Sequence, residues 1–523
     1  MRTSLSWSAA FLFVLAVFLP RGTSLGRILT VDELLWQGRA HQLMTGVATF
    51  RPQLTFASGQ PGVTTMWVAG LADRFDSLAA SQAAIAVTTG MLISVATALL
   101  IRLLGRVQGL LAGFFLALDP FLIAHSRVVH TDALLAVSML LTLLFLALAW
   151  KTRMSRYLVF AGIGTAWAML SKVFGGFVLL PGLFTTIVGP VSAPWHRRFF
   201  AYGGAFIATM LILWPALWSP HVPLRFMTDR AAFHAQEADV GKGGDDPWYY
   251  AREWLFRLHP VTTIAGALGL VGAIAGGIGQ LPRMRGRRFF LAIAASACAY
   301  GLVLSAGGQK SDRYFIFGTT AMDMLAAGGI VWGVDFLTRF FPHMPRRAAI
   351  AIFGLASVGI MGVDILRLHP YELAHYNRLM PLSETKKTGW GEGLERAALW
   401  LNERDNPSSV SYYASVLGYW RGNAVHRLSH EYGSSKNTYV VLYRSMLGRE
   451  RDSQETQYLH AYFSRGRCLY GVILNDIPYV WVFERIPEEL SPSSADAISQ
   501  EDDLLPFPSC ESTTALAGLR KSR

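Results

Sequence analysis

The sequence predicts a polytopic α-helical membrane protein of about eleven transmembrane helices, closed by a small extracytoplasmic α/β domain. Three observations carry this prediction. Of 523 residues, 52% are hydrophobic and only 16% charged, where a soluble domain carries about a quarter charged residues. The apolar residues gather into long blocks without a charge, as between Asp76 and Arg102, Lys172 and His196, Arg198 and His221, His259 and Arg283, and Arg288 and Lys310. The charges that remain fall into two alternating kinds of loop, one short and basic, the other longer and mixed.

A helix rises about 1.5 Å per residue, so roughly 20 apolar residues cross the hydrocarbon core. The apolar segments lie near 3–20, 78–101, 107–124, 133–150, 157–171, 173–190, 199–218, 261–281, 289–306, 314–336 and 348–367. Core helices of a large soluble protein would be amphipathic, whereas these are apolar all round. Segment 3–20 is followed by no small-x-small cleavage pattern and reads as a retained span.

Orientation follows from Lys and Arg. The loops with Arg102 and Arg106, with Lys151, Arg153 and Arg156, with Arg197 and Arg198, with Arg283 to Arg288, and with Arg339, Arg346 and Arg347 are short and basic, hence cytoplasmic. The opposite set comprises 21–77, 125–132, the surroundings of Lys172, 219–260, 307–313 and everything after 367. This topology accounts for the net charge of +12, so no nucleic-acid partner is expected.

The membrane domain is expected over 1–367. From 368 to 490 the composition turns polar and predicts an α/β domain. Residues 391–403 form an amphipathic helix with Leu394, Ala397, Ala398 and Leu401 on one face. Thr438–Tyr443, Leu469–Leu474 and Tyr479–Phe483 read as strands, with a turn at Asn475-Asp476. The Ser-, Pro- and Asp-rich tail 491–523 is expected to be disordered. Cys298 reads as a packing residue. Cys468 and Cys510 could pair if their region is outside, but spacing does not decide it.

Polar chemistry concentrates on the outer face. Asp32 and Glu33 open the first outer loop; an acid there can serve as a general base, or simply occupy a helix start after a Thr30 cap. His125, Arg127, His130 and Asp132 share one short turn, with Asp132 at a helix N-terminus. A divalent metal held by His125, His130 and Asp132 stays open, though the spacing is not diagnostic. Lys172, Lys310 and Arg313 are cations on the face that the positive-inside bias depletes. An anionic lipid phosphate would explain them, as would snorkelling anchors. Asp323 lies inside an apolar segment, where an acid is functional or hydrogen-bonded to a neighbouring helix.

Together these residues resemble the GT-C superfamily of membrane glycosyltransferases, and within it the bacterial protein O-mannosyltransferase and lipid A aminoarabinose transferase branch. The likeness rests on VDELLWQGRAHQL at 31–43, QPGVTTMWVAGL at 60–71, HSRVVHTDALLAV at 125–137, SKVFGGFVLLP at 171–181, KSDRYFIFGTTAMDMLAAGG at 310–329, HPYELAHYN at 369–377 and GWGEGLERAALWLN at 389–402. The resemblance implies an inverting transfer of a sugar from a polyprenyl-phosphate donor to a hydroxyl of a protein, lipid or glycan acceptor, outside a bacterial cytoplasmic (inner) membrane. It implies Asp32 as base with Glu33 beside it, and Asp132 as the second acid. Arg127, Lys172 and Arg313 are the candidates for the donor phosphate, and His130, Lys310 and Tyr314 complete the set expected to bind substrate. Gln60 stands where relatives often carry His or Lys, so a cation expected there is missing. A transporter of lipid-linked sugars, or a non-catalytic envelope-assembly subunit, is the alternative; a transporter would place its site near the bilayer midplane, where only Asp323 lies.

Overall fold

A computed structural model describes residues 4–57, 59, 61–219, 221–222, 225–226, 228–229, 246–278, 281–307, 310–381, 389–404, 409–412, 424–426, 437–445, 461–485 and 508–516. Gln60 lies outside these residues. The chain divides into two compact units. The first comprises 1–26, 32–366 and 376–380; the second comprises 27–31, 367–375 and 381–523.

The first unit is helical. Its helices are α1 (Ser4–Gly22), α2 (Glu33–Ala48), α3 (Val63–Gly70), α4 (Leu78–Leu104), α5 (Arg106–Leu118), α6 (Pro120–His125), α7 (Asp132–Thr152), α8 (Arg156–Ser171), α9 (Leu179–Val188), α10 (Trp195–Phe199), α11 (Ala205–Leu213), α12 (Tyr249–Arg257), α13 (Pro260–Ala275), α14 (Arg287–Ser305), α15 (Ile316–Phe340) and α16 (Arg346–Leu368). The described residues of each of the eleven apolar segments are mainly helical. Among the described residues, however, five helices are long and apolar enough to cross a membrane, or up to six if α12 and α13, bent by 118°, count as one span.

The breaks in the shorter segments have physical causes. Helix α5 ends at Asp119 because Pro120 follows; the Asp119 carboxylate accepts from the amides of Phe121 and Leu122 at 2.7 and 3.1 Å and starts α6. The freed carbonyls at the end of α5 find a cation. Arg21, fully buried in α1, donates to Ala117 and Leu116 at 2.8 and 3.4 Å, complementing the negative end of that helix. Helix α8 ends where Lys172 adopts an extended conformation, φ −160°, ψ 144°, before a 3-10 stretch at Val173–Val178.

Helices α13 and α15 approach through glycine. A Cβ at Gly269 would lie 2.0 Å from the Leu325 carbonyl oxygen, and one at Gly329 would lie 1.9 Å from that of Ala265. Such small-residue seams let backbones meet in membranes. Asp323 of α15 faces α13 and accepts from Thr262 at 3.5 Å, a partner on a neighbouring helix, which was one of the two readings open for it. Cys298 departs from expectation: it is exposed rather than packed, as suits a helix side facing lipid.

The second unit is an α/β fold. Its sheet runs β2-β1-β3-β5-β4-β6, with β1 at Ser409–Tyr412, β2 at Ala424–His426, β3 at Asn437–Tyr443, β4 at Cys468–Leu474, β5 at Ile477–Glu484 and β6 at Ser512–Leu516. Strands β4 and β5 form an antiparallel hairpin whose turn residues Asn475 and Asp476 have φ of +51° and +64°, values that Asn and Asp tolerate and that hairpin turns need. Helix α17 (Leu394–Asn402) buries Leu394, Ala397, Ala398 and Leu401. The motifs at 369–377 and 389–402 meet here: the Tyr371 hydroxyl donates to Glu395, and His369 Nδ1 lies 2.7 Å from Glu372. Burial pushes the Glu395 carboxyl above its ordinary value, against the Tyr371 hydrogen bond.

One departure concerns the tail, and one open question is settled. Residues 512–516, read as disordered, form β6 beside β4; the rest of 491–523, apart from 508–511, lies outside the described residues. Cys468 and Cys510 are disulfide-bonded, fixing the approach to that strand. A disulfide mainly constrains the unfolded chain. Cys468→Ser is therefore expected to lower the stability of this unit by about 2–4 kcal/mol. Denaturant unfolding followed on the Trp481 region checks it, and an unchanged midpoint would contradict it.

Candidate functional site

Four separate segments of the first unit bring charge to one place. Asp32 precedes α2, His130 and Asp132 sit at the start of α7, Lys172 follows α8, and Arg313 lies in the 3-10 turn Asp312–Phe315. Arg313 Nη1 donates to Asp32 Oδ2 at 2.7 Å, although 281 residues separate them. Its Nε lies 3.8 Å from Asp132 Oδ2. Lys172 Nζ donates to Asp132 Oδ1 at 2.8 Å. His130 stands between the acids, with Nδ1 2.8 Å from Asp132 and Nε2 3.5 Å from Asp32.

Exposure separates the roles of the acids. The Asp32 side chain is 28% exposed and that of Asp132 is 0%. Asp32 is therefore open to solvent, while the buried Asp132 holds Lys172, His130 and Arg313. Asp32 occupies the cap position of α2 but makes no side-chain capping bond; its carboxylate turns to Arg313 instead. Burial alone would raise its pKa, but the His130 hydrogen bond, the Arg313 charge and their companion interactions outweigh it. The carboxyl is held well below its ordinary value of 3.8.

Glu33 corrects an expectation. Read as a catalytic partner of Asp32, it is fully buried, and its Oε1 accepts from Gln82 Nε2 and from the Val129 amide, both at 2.8 Å. Successive residues on a helix point about 100° apart, so the neighbours in sequence face different surroundings. Glu33 ties α2 to α4 and to the turn before α7.

The other predicted donor-binding residues divide. Tyr314 lies beneath Lys172, whose Nζ is 3.8 Å from the ring centroid, a cation–π arrangement. Arg127 donates to the Thr23 carbonyl at 2.8 Å, and Lys310 to the Asp246 carbonyl at 2.7 Å. His125 packs edge-on against Phe121 at 4.7 Å, and burial lowers its pKa to about 3, leaving it neutral. Among the described residues no group of three or more His, Cys, Asp and Glu could hold a metal ion. Asp32 and Asp132 are instead engaged by Arg313 and Lys172.

Sequence reasoning missed a second pair. Arg257, at the end of α12, places Nη2 2.5 Å from Asp312, and its guanidinium carbon is 5.1 Å from the Phe121 ring centroid. Asp312 and Arg313, adjacent in the 3-10 turn, thus pair in opposite directions and pin that turn. The signal was present, since Asp312 sits within KSDRYF and Arg257 closes a charged stretch in an outer loop.

Fold and cluster define a multi-pass membrane protein with a partly buried ion-pair network at the ends of its helices. Residues 66–218 match the family model described as dolichyl-phosphate-mannose-protein mannosyltransferase. The matched stretch includes Asp132 and Lys172; Asp32 and Arg313 lie outside it. No curated protein matches by sequence. Among solved structures, ArnT from Cupriavidus metallidurans in the apo state is 13% identical, covering 94% of this chain and 99% of its own at a TM-score of 0.49. The same enzyme bound to undecaprenyl phosphate gives 13% identity, 94% and 100% coverage, and 0.49. The apo oligosaccharyltransferase of Archaeoglobus fulgidus is 12% identical, with 87% and 71% coverage and a TM-score of 0.45.

Proposed function

We propose that this protein is an inverting glycosyltransferase that moves a sugar from a polyprenyl-phosphate donor to an acceptor hydroxyl on the extracytoplasmic face of a bacterial cytoplasmic membrane. The single observation that carries the reading is the convergence of an accessible acid, Asp32, with two fixed cations, Lys172 and Arg313, on the buried Asp132. The mannosyltransferase-family stretch supports a lipid-phosphate donor.

The chemistry assigns each group a part. The departing polyprenyl phosphate gains negative charge, which Lys172 and Arg313 stabilise where they already stand. The acceptor hydroxyl is a weak nucleophile, and Asp32 takes its proton as the new C–O bond forms on the opposite face of the sugar. In the absence of donor, Arg313 holds Asp32 as a weak base. A phosphate that engages the guanidinium competes with that carboxylate, so donor binding itself raises the basicity of Asp32. Asp132 and Glu33 keep cations and loops in place. The experiment is transfer from a synthetic polyprenyl-phosphate sugar by the purified protein, with the anomeric configuration of the product read by NMR. Retention of configuration, or no transfer to any hydroxyl acceptor, would count against it.

The direction of the site depends on topology. With Lys and Arg loops inside, a cysteine placed beside Arg285 is expected to resist an impermeant thiol reagent in intact cells. One placed in the second unit is expected to react. The measurement needs a Cys298→Ser background, because Cys298 is exposed. Labelling beside Arg285 in intact cells would overturn the orientation.

A further inference from the structure

Tyr300 of α14 was no part of the charged cluster, yet its ring is fixed beside it. It is 1% exposed. It stacks on Phe315 at 6.1 Å and 16°, and meets Phe317 edge-on at 5.7 Å and Phe177 at 5.4 Å. Phe315 is the residue after Tyr314, and Phe177 belongs to the 3-10 stretch that follows Lys172. The hydroxyl lies within electrostatic range of the Asp132 carboxylate and of the Tyr250 and Tyr314 hydroxyls. It is buried and has no hydrogen-bond partner among the described residues. The indole N–H of Trp254, whose ring meets Phe315 edge-on at 5.8 Å, also lacks one.

A buried hydroxyl without a partner carries the desolvation cost of that group uncompensated, so it calls for an explanation. Three aromatic neighbours hold this ring, so the hydroxyl cannot swing away to find water. Its position along α14 is five residues before Ser305, or about 7–8 Å along the helix axis. By the orientation expected from the Lys and Arg loops, that is just below the outer end of the helix.

We propose that Tyr300 is a donor-binding residue whose hydroxyl donates a hydrogen bond to a phosphate oxygen of the lipid-linked sugar held by Lys172 and Arg313. The class of ligand fits the group. The oxygens of a phosphodiester only accept hydrogen bonds, and a tyrosine hydroxyl with no acceptor has a proton to give. The assignment rests on the donor site proposed above and adds to it a residue from a helix that contributes no charge.

Tyr300→Phe removes one oxygen and keeps the ring contacts. Binding of a short-chain polyprenyl phosphate to the purified protein is expected to weaken by about tenfold or more, the value of a hydrogen bond to a charged acceptor. Binding of the corresponding polyprenol, which lacks the phosphate, is expected not to change. The ligand-free melting temperature is expected to hold or rise, because an orphaned polar group has been removed. A drop in melting temperature together with equal losses for phosphate and polyprenol would mark Tyr300 as structural and overturn the proposal. Lys172→Ala separates the two levels of the reading. If it weakens phosphate binding while Tyr300→Phe does not, the Tyr300 assignment alone fails. If neither variant weakens it, the donor site itself fails, and Tyr300 with it.

Discussion

Asp32→Asn is expected to abolish nearly all turnover while leaving the fold and donor binding intact. General acid–base catalysis contributes about 10²–10⁴-fold, so the loss reaches at least two orders of magnitude. Asparagine keeps the shape and can still accept from Arg313, but it cannot take a proton from a hydroxyl. It also releases Arg313 from a charged partner 2.7 Å away. Donor affinity is therefore expected to stay level or improve, a split that separates loss of the base from general damage. A pH profile sharpens the point. The Asp32 carboxyl is held below its ordinary 3.8, so the free enzyme keeps it ionised throughout the neutral range, and its titration does not set an acid limb there. The same depressed pKa contributes folding stability that is present above the ordinary carboxylate value and is lost as pH falls through the lower, folded one. Steady-state transfer by the variant, with donor binding measured by titration, checks the expectation. Parent-like turnover would remove Asp32 as base; Glu33 could not replace it, because its carboxylate is buried and already accepts from Gln82 and Val129.

Arg313→Ala is expected to damage binding as well as turnover. A charge-assisted hydrogen bond contributes roughly 1.5–3 kcal/mol, about ten- to more than a hundredfold in donor affinity. The variant also leaves Asp32 without its cation, so the acid becomes a stronger base at an emptier site. The two effects oppose each other in turnover but not in binding. Arg313→Lys is expected to recover only part of the affinity, since a compact ammonium cannot reproduce the guanidinium fork between Asp32 and Asp132. Thermal melts of both variants establish that the 3-10 turn at Asp312–Phe315 survives through the Arg257–Asp312 pair. Donor affinity equal to that of the parent in Arg313→Ala would place the phosphate elsewhere.

Much of this was legible because it is one-dimensional. Charge-free blocks mark helices without any knowledge of packing, and short basic loops predict a side that the labelling experiment tests. The candidacies of Asp32, Asp132, Lys172 and Arg313 came from their being charged in outer loops where the bias runs against cations or where acids crowd. What sequence could not supply was direction. Asp32 and Glu33 look equivalent until α2 turns one toward Arg313 and the other into the protein. Arg127 and Lys310 carry the same charge as Lys172, yet they hold the carbonyls of Thr23 and Asp246. Asp312 was overshadowed by Arg313, though the two pair oppositely. Tyr300 gave no signal, because a tyrosine in an apolar span looks like packing until its hydroxyl is seen without a partner. The link between Cys468 and Cys510 depends on β4 and β6 lying side by side, a long-range pairing that spacing does not encode.

The most direct measurement is the release of polyprenyl phosphate by the purified protein from a panel of synthetic polyprenyl-phosphate sugars, in the presence of an envelope extract as acceptor, with the parent and Asp32→Asn run side by side. Release by the parent from at least one donor, coupled to sugar appearing on a hydroxyl of the extract and lost by at least about two orders of magnitude in the variant, is the predicted result. Equal release by parent and variant, or transfer that proceeds with a nucleotide sugar in place of the lipid phosphate, would contradict it.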